Sequence, residues 1–211
     1  MPKVLPDIVY GVHNEVPYID SQNSLYIIPF YKPDEYFNNI ESLNNFISGV
    51  EREVRASDRY SKYKNYLMKE VKLDHCQVLK DLTNEDCEIE LHHGPIFTLY
   101  DIAAIILEYF RLRQWKITTF RIADAVLTEH EMNRVNCVML ASSIHEQVHN
   151  RNIFISMKQA WGDINAFINK YKDAMSPEYR IKYNRYIDAC MIRESEDFGT
   201  LELNDKLFIG E

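Results

Sequence analysis

Residues 89–95 read IELHHGP. Apolar and polar side chains alternate as in a half-buried strand, and Gly94-Pro95 must end it. The last two strand positions are therefore both imidazoles, His92 and His93, which alternation sends to opposite sides. A second stretch, VNCVMLASSIHEQVHN at 135–150, runs from an extended segment into a helix after Ser142-Ser143 and carries His145 and His149 at i, i+4. That spacing puts both rings on one helical face. Two helical patterns, 98–114 and 118–131, lie between the histidine stretches. The chain must close a short strand and a short helix around an insertion of helices, so the pattern predicts an α+β fold, mainly helical, with a small β element.

The remaining elements follow from spacing and caps. SLYIIPF at 24–30 reads as a short strand, and Pro33 with the acids after it opens a helix whose apolar positions are Phe37, Ile40, Leu43, Phe46, Ile47 and Val50. Ser57-Asp58 caps a basic helix to about residue 72, and CQVL (76–79) with CEIELHH (87–93) predicts a hairpin joined by KDLTNED. Thr118 caps the helix over 118–131. Residues 157–173 predict one helix with Trp161, Ile164, Phe167, Ile168 and Tyr171 inward, and Ser176-Pro177 begins a last helix to about Arg193. Three regions follow: 1–73, a strand and helices; 74–152, the histidine-bearing core with its insertion at about 97–131; and 153–211, helices and an acidic tail.

The 211 residues, 46% apolar, are enough to bury a real core. The longest apolar run, IAAIIL at 102–107, is far short of the roughly 20 residues of a membrane span. The N-terminus lacks a basic-then-apolar signal pattern. Both predict a soluble, cytoplasmic protein with no membrane partner. Cys76, Cys87, Cys137 and Cys190 form no C-x-x-C pair, which fits buried reduced thiols better than a zinc ribbon. The net charge of −8 hides two basic stretches, with seven Lys/Arg against four Asp/Glu over 51–72 and six against three over 152–186, between acidic ends. Local cationic surfaces for a polyanion can therefore coexist with an acidic total. The acidic ends are also a candidate surface for a protein partner.

The order of these features, hairpin, asparagine-bearing extended segment and helix with His-x-x-x-His, resembles the ββα-metal motif of the HNH (His-Asn-His) endonucleases, in particular the colicin-type DNases. The residues that carry the resemblance are the IELHHGPI doublet, Asn136 nine positions before His145, and the His145–His149 pair. It covers about 74–152 and departs from the family in the spacing of 43 from His93 to Asn136, which puts Asn133 and Asn150 forward as rivals for the asparagine. The resemblance implies a metal-dependent endonuclease cutting DNA. His92, His145 and His149 would hold one divalent metal ion (Zn, Mn, Ni or Mg), His93 would be the general base, and Asn136 would orient it.

The chemistry asks for those residue types. Phosphodiester hydrolysis needs a water deprotonated near neutral pH, which an imidazole of pKa about 6.5 can do, and a cation against the charge growing on phosphate and leaving oxygen. Three neutral nitrogens favour a transition metal over magnesium. Tyrosines interleave with Lys62 and Lys64 in the first basic stretch and with Arg180 and Lys182 in the second, pairing phosphate contacts with flat rings, although helical tyrosines equally suit core packing. Arg151, two residues past His149, is a further phosphate contact. His75 and His130 read as surface or structural, Asp74 as a turn residue and Glu90 as a strand-flank residue. A rival reading is a non-catalytic regulatory protein that uses the scaffold, with zinc as a staple. A weaker one is an acidic mimic of nucleic acid. The Asn-, Lys-, Ile- and Tyr-rich composition fits a phage or low-GC bacterial genome, hence a phage protein acting in the host cytoplasm.

Overall fold

A computed structural model describes residues 8–10, 17–19 and 31–195. A short antiparallel hairpin, β1 (Ile8–Tyr10) with β2 (Pro17–Ile19), precedes the main body. There, α1 (Ile40–Ala56) and α2 (Asp58–Lys69) lead to β3 (Ile89–His93), α3 (Leu99–Leu112), α4 (Thr119–Glu131), β4 (Cys137–Ala141) and α5 (Ser142–His149), followed by α6 (Ile164–Tyr171) and α7 (Pro177–Ser195). The fold is mainly helical α+β with a small antiparallel sheet at the site. The strand expected at 24–30 lies outside the described residues, as does most of both acidic ends.

Helix starts fall where capping chemistry puts them. Asn39 accepts from the Ser42 amide at 3.0 Å and Ser57 from the Tyr60 amide at 3.1 Å. Thr98 and Asp101 form a reciprocal capping box at α3, and Thr118 accepts from the Arg121 amide at 3.1 Å at α4. The Asn39 cap also explains why the helix expected from Pro33 is split: residues 34–38 form a separate 3-10 turn before α1.

The apolar stripes of α1, α3 and α4 meet in one core, with Ile47, Val50, Ile102, Ile106, Ile122 and Val126 fully buried. Each such side chain contributes about 1.5–3 kcal/mol on burial. All five residues of β4 are buried within this core. The core thus fixes the strand from which the site is built.

Two expectations are corrected. β3 does not pair with residues 76–79. It pairs with β4, in the register Ile89↔Ala141 through His93↔Cys137. The 76–79 segment lies against β4 instead, where the Gln77 amide donates to the Met139 carbonyl at 2.8 Å and the Gln77 side-chain oxygen accepts from the Met139 amide at 2.6 Å. An entirely apolar, buried strand offers β3 a better partner than a four-residue segment next to a polar turn. The helix expected over 157–173 is also broken. Trp161 and Cys137 exchange both backbone hydrogen bonds (2.8 and 2.9 Å), which holds this segment extended. Gly162 then turns at φ 107°, where a Cβ would collide with the Val135 carbonyl. Asp163 restarts the helix by accepting from the Ala166 amide at 3.0 Å.

Candidate metal centre

Alternation along β3 places Glu90 and His92 on one face and Leu91 and His93 on the other. α5 follows β4 directly and packs on both strands, bringing His145 and His149 to the face of His92. Ring centroids lie 4.9 Å apart for His92 and His145, 5.2 Å for His92 and His149, and 4.5 Å for His145 and His149. One ligand atom from each falls within 4.8 Å of the others.

Glu90 sets the tautomer. Its carboxylate accepts from Nδ1 of His145. A carboxylate only accepts, so the His145 proton sits on Nδ1 and the lone pair on Nε2. That Nε2 is 3.0 Å from Nε2 of His149. Two nitrogens on one tetrahedral ion with bonds of about 2.0–2.1 Å are separated by roughly 3.3 Å, so a small outward shift seats a metal between them. Burial, reinforced by His145 and His149, pushes the His92 pKa down to about 4, and burial lowers that of His149. Both are neutral, ligand-ready imidazoles at pH 7. An all-nitrogen donor set suits Zn or Ni better than Mn or Mg, which prefer oxygen ligands. Gly94 leaves room for the arrangement, because a Cβ there would meet Nε2 of His92 at 2.8 Å.

His93 enters a different environment. It is 5% exposed, stacks on Tyr60 at a centroid distance of 5.9 Å, and its Nε2 is 2.9 Å from Nε2 of His130. His130 has its Nδ1 2.7 Å from the Val126 carbonyl, which can only accept. Its Nε2 is thus a lone pair, and the proton between the two rings belongs to His93. By elimination, Nδ1 of His93 is that ring's remaining acceptor. Burial lowers the pKa of His93 well below the usual range and that of His130 to about 4. His93, His130 and Cys137 form a second group whose ligand atoms lie within 4.8 Å, but all three are buried, and burial holds the Cys137 thiol up at about 12.

Both histidine layers border one cavity of about 920 Å³. Leu91, His92 and His93 all line it, so it reaches round the outer edge of β3. Arg55, Arg151, Lys182 and Arg185 supply cations, and Glu51 and Glu178 are its acids. Lys182 also pairs with Asp101 at 2.6 Å.

The expected site residues divide accordingly. His92, His145 and His149 come together, with Arg151 and Lys182 on the same cavity. Asn136 does not orient His93. Its side-chain amide donates to the carbonyls of Gly162 (2.9 Å) and Trp161 (3.3 Å), and its own carbonyl accepts from the Gly94 amide at 3.2 Å. It clamps the end of the doublet to the 161–162 turn. Lys62 and Lys64 are outside the cavity lining, on a helix whose Tyr60 and Tyr63 are core residues. Arg180 donates to the carbonyls of Met175 (3.1 Å) and Lys172 (3.0 Å), a helix-end role. Glu90 and His130 are the site residues that sequence reasoning set aside. Glu90 had a signal, since it shares a strand face with His92 at i, i+2. His130 had one too, because Ile122, Val126 and His130 continue one buried stripe.

Fold and site together define a mainly helical α+β protein with an open three-histidine centre. A family model of the bacteriophage G278-like virion proteins matches residues 5–207, and the chain belongs to that family. No curated protein and no solved structure matches it. No helix among the described residues is long and apolar enough to cross a membrane.

Proposed function

We propose that this phage protein is a metal-dependent phosphodiester hydrolase of the HNH type, acting on nucleic acid. The observation that carries the reading is the convergence of His92, His145 and His149, with Glu90 fixing one tautomer, on a cavity that also holds arginines and a lysine. Structural metal sites close their coordination shell with four protein ligands, whereas three ligands leave a position for water or substrate. A transition metal held there supplies a Lewis acid for the phosphate and the departing oxygen. Arg151 and Lys182 bind and orient the phosphate. His93 lines the cavity, and its free Nδ1 would take the proton of the attacking water. His130 keeps that nitrogen unprotonated by accepting the proton on the other side of the ring.

A second reading, a metal-stapled structural or regulatory component, is favoured by the virion description of the family. One experiment separates the two. Untagged protein is loaded with Zn, Ni or Mn and assayed on bis(p-nitrophenyl) phosphate and on plasmid DNA. Hydrolysis that disappears in His145→Ala supports the hydrolase. A protein that binds metal and hydrolyses neither substrate is the stapled component.

A further inference from the structure

The three-histidine cluster, with His149 exposed, sits in a half-open cavity. Its walls come from α1, β3, α5, the 151–155 segment and one face of α7, whose Glu178, Ile181, Lys182, Arg185, Tyr186 and Ala189 recur at helical spacing along it. Its volume of about 920 Å³ falls within the roughly 300–1,000 Å³ of pockets that engulf small organic ligands. A duplex carries its phosphates on the outside of a rod far wider than such a space, with the bases stacked inward. An unpaired stretch of one or two nucleotides can enter it, as a flipped nucleotide enters a base-modifying enzyme. The lining is correspondingly two-sided. Ile153 and Ile181 offer aliphatic surface for a base or sugar, and Ile181 is 50% exposed despite its chemistry. Arg151, which forms no ion pair among the described residues, offers charge for the phosphate.

We propose that the site takes single-stranded or locally unpaired nucleic acid in preference to B-form duplex. This rests on the hydrolase reading for its biological meaning, but binding can be measured without metal. Full-length protein in EDTA is titrated against a fluorescent single strand of about ten nucleotides, and against the same sequence as a duplex, by anisotropy at several salt concentrations. The single strand is expected to bind at least about tenfold more tightly, with a salt slope of about 0.7 per phosphate contacted.

Two variants locate the contact. Arg151 has φ 61°, a conformation asparagine tolerates, so Arg151→Asn removes the charge without straining the backbone. Ile181→Glu places a carboxylate on the aliphatic wall at an exposed position. Each is expected to weaken single-strand binding at least about fivefold, with Arg151→Asn also lowering the salt slope by about 0.7. Duplex bound as tightly as single strand, binding of neither, or single-strand binding unchanged in both variants overturns the proposal. Hydrolysis of bis(p-nitrophenyl) phosphate by metal-loaded protein is scored separately, so the hydrolase reading and this substrate assignment can fail independently.

Discussion

His92 and His93 are neighbours in sequence, yet one belongs to a cluster of three imidazoles open to a cavity and the other to a hydrogen-bonded layer inside the core. The difference lies in what each meets. His92 faces α5, where two more imidazoles and a carboxylate converge, with Glu90 accepting from Nδ1 of His145 and burial holding His92 neutral. His93 faces α2 and α4, where Tyr60 stacks on it and His130, whose single ring proton goes to a backbone carbonyl, accepts its N–H. The same side chain is suited to be a ligand where its lone pair meets other lone pairs, and to carry a proton where its N–H is locked and one nitrogen is left over.

The largest effect that would break this contrast is in metal content. His145→Ala should lose the bound transition metal, and Cys137→Ser, in the buried group around His93, should keep it. Elemental analysis of untagged protein checks this, and the reverse pattern would move the metal to the core side of the sheet. Next comes His93→Ala, expected to lower phosphodiester hydrolysis about a hundredfold or more while metal content stays constant. A variant that hydrolyses normally would show that the leftover nitrogen does no proton transfer.

The buried layer also makes a pH prediction. The folded pKa of His130, about 4, is below its free value of about 6.5, so the unfolded chain takes up the proton first as pH falls. The stability linked to His130 is complete above about pH 6.5 and is lost between about 6.5 and 4, up to about 3 kcal/mol. Urea unfolding in EDTA at about pH 7 and about pH 4.5 measures it. His130→Leu should shrink the difference while leaving the share of His92 and His93, and an equal difference in that variant would place the titrating groups elsewhere. On the coordination side, Glu90→Gln should weaken metal affinity about 10–100-fold without unfolding the protein, read by competition with a chelator. The smallest effect belongs to Lys62→Ala with Lys64→Ala. Outside the cavity lining, they should leave oligonucleotide affinity within about twofold, as isolated exposed charges do.

Much of this was legible in the residues. Ser57, Thr98 and Thr118 announced their helices because a cap is a local device, read from a few adjacent positions. The His145–His149 spacing and the doublet at the end of β3 announced the three-histidine cluster for the same reason. The partner of β3 was not legible, since pairing across the α3–α4 insertion depends on which strand the finished core buries, and 76–79 was the nearer candidate. The break at Trp161–Gly162 was hidden because apolar positions on both sides kept helical spacing, while the cause, the backbone bridge to Cys137, is tertiary. Asn136 was found by its distance from His145, yet its role is decided by the Trp161–Gly162 turn that the spacing does not encode.

Gly94 carries one more consequence. A methyl group at this position would press on the nitrogen edge of His92, so Gly94→Ala acts as a competitor permanently attached beside the coordination position. Every ligand, the sheet register and the buried layer around His93 would keep their identities, and only the room for coordination would change. That single substitution tests the proposed metal site with all three histidines left in place.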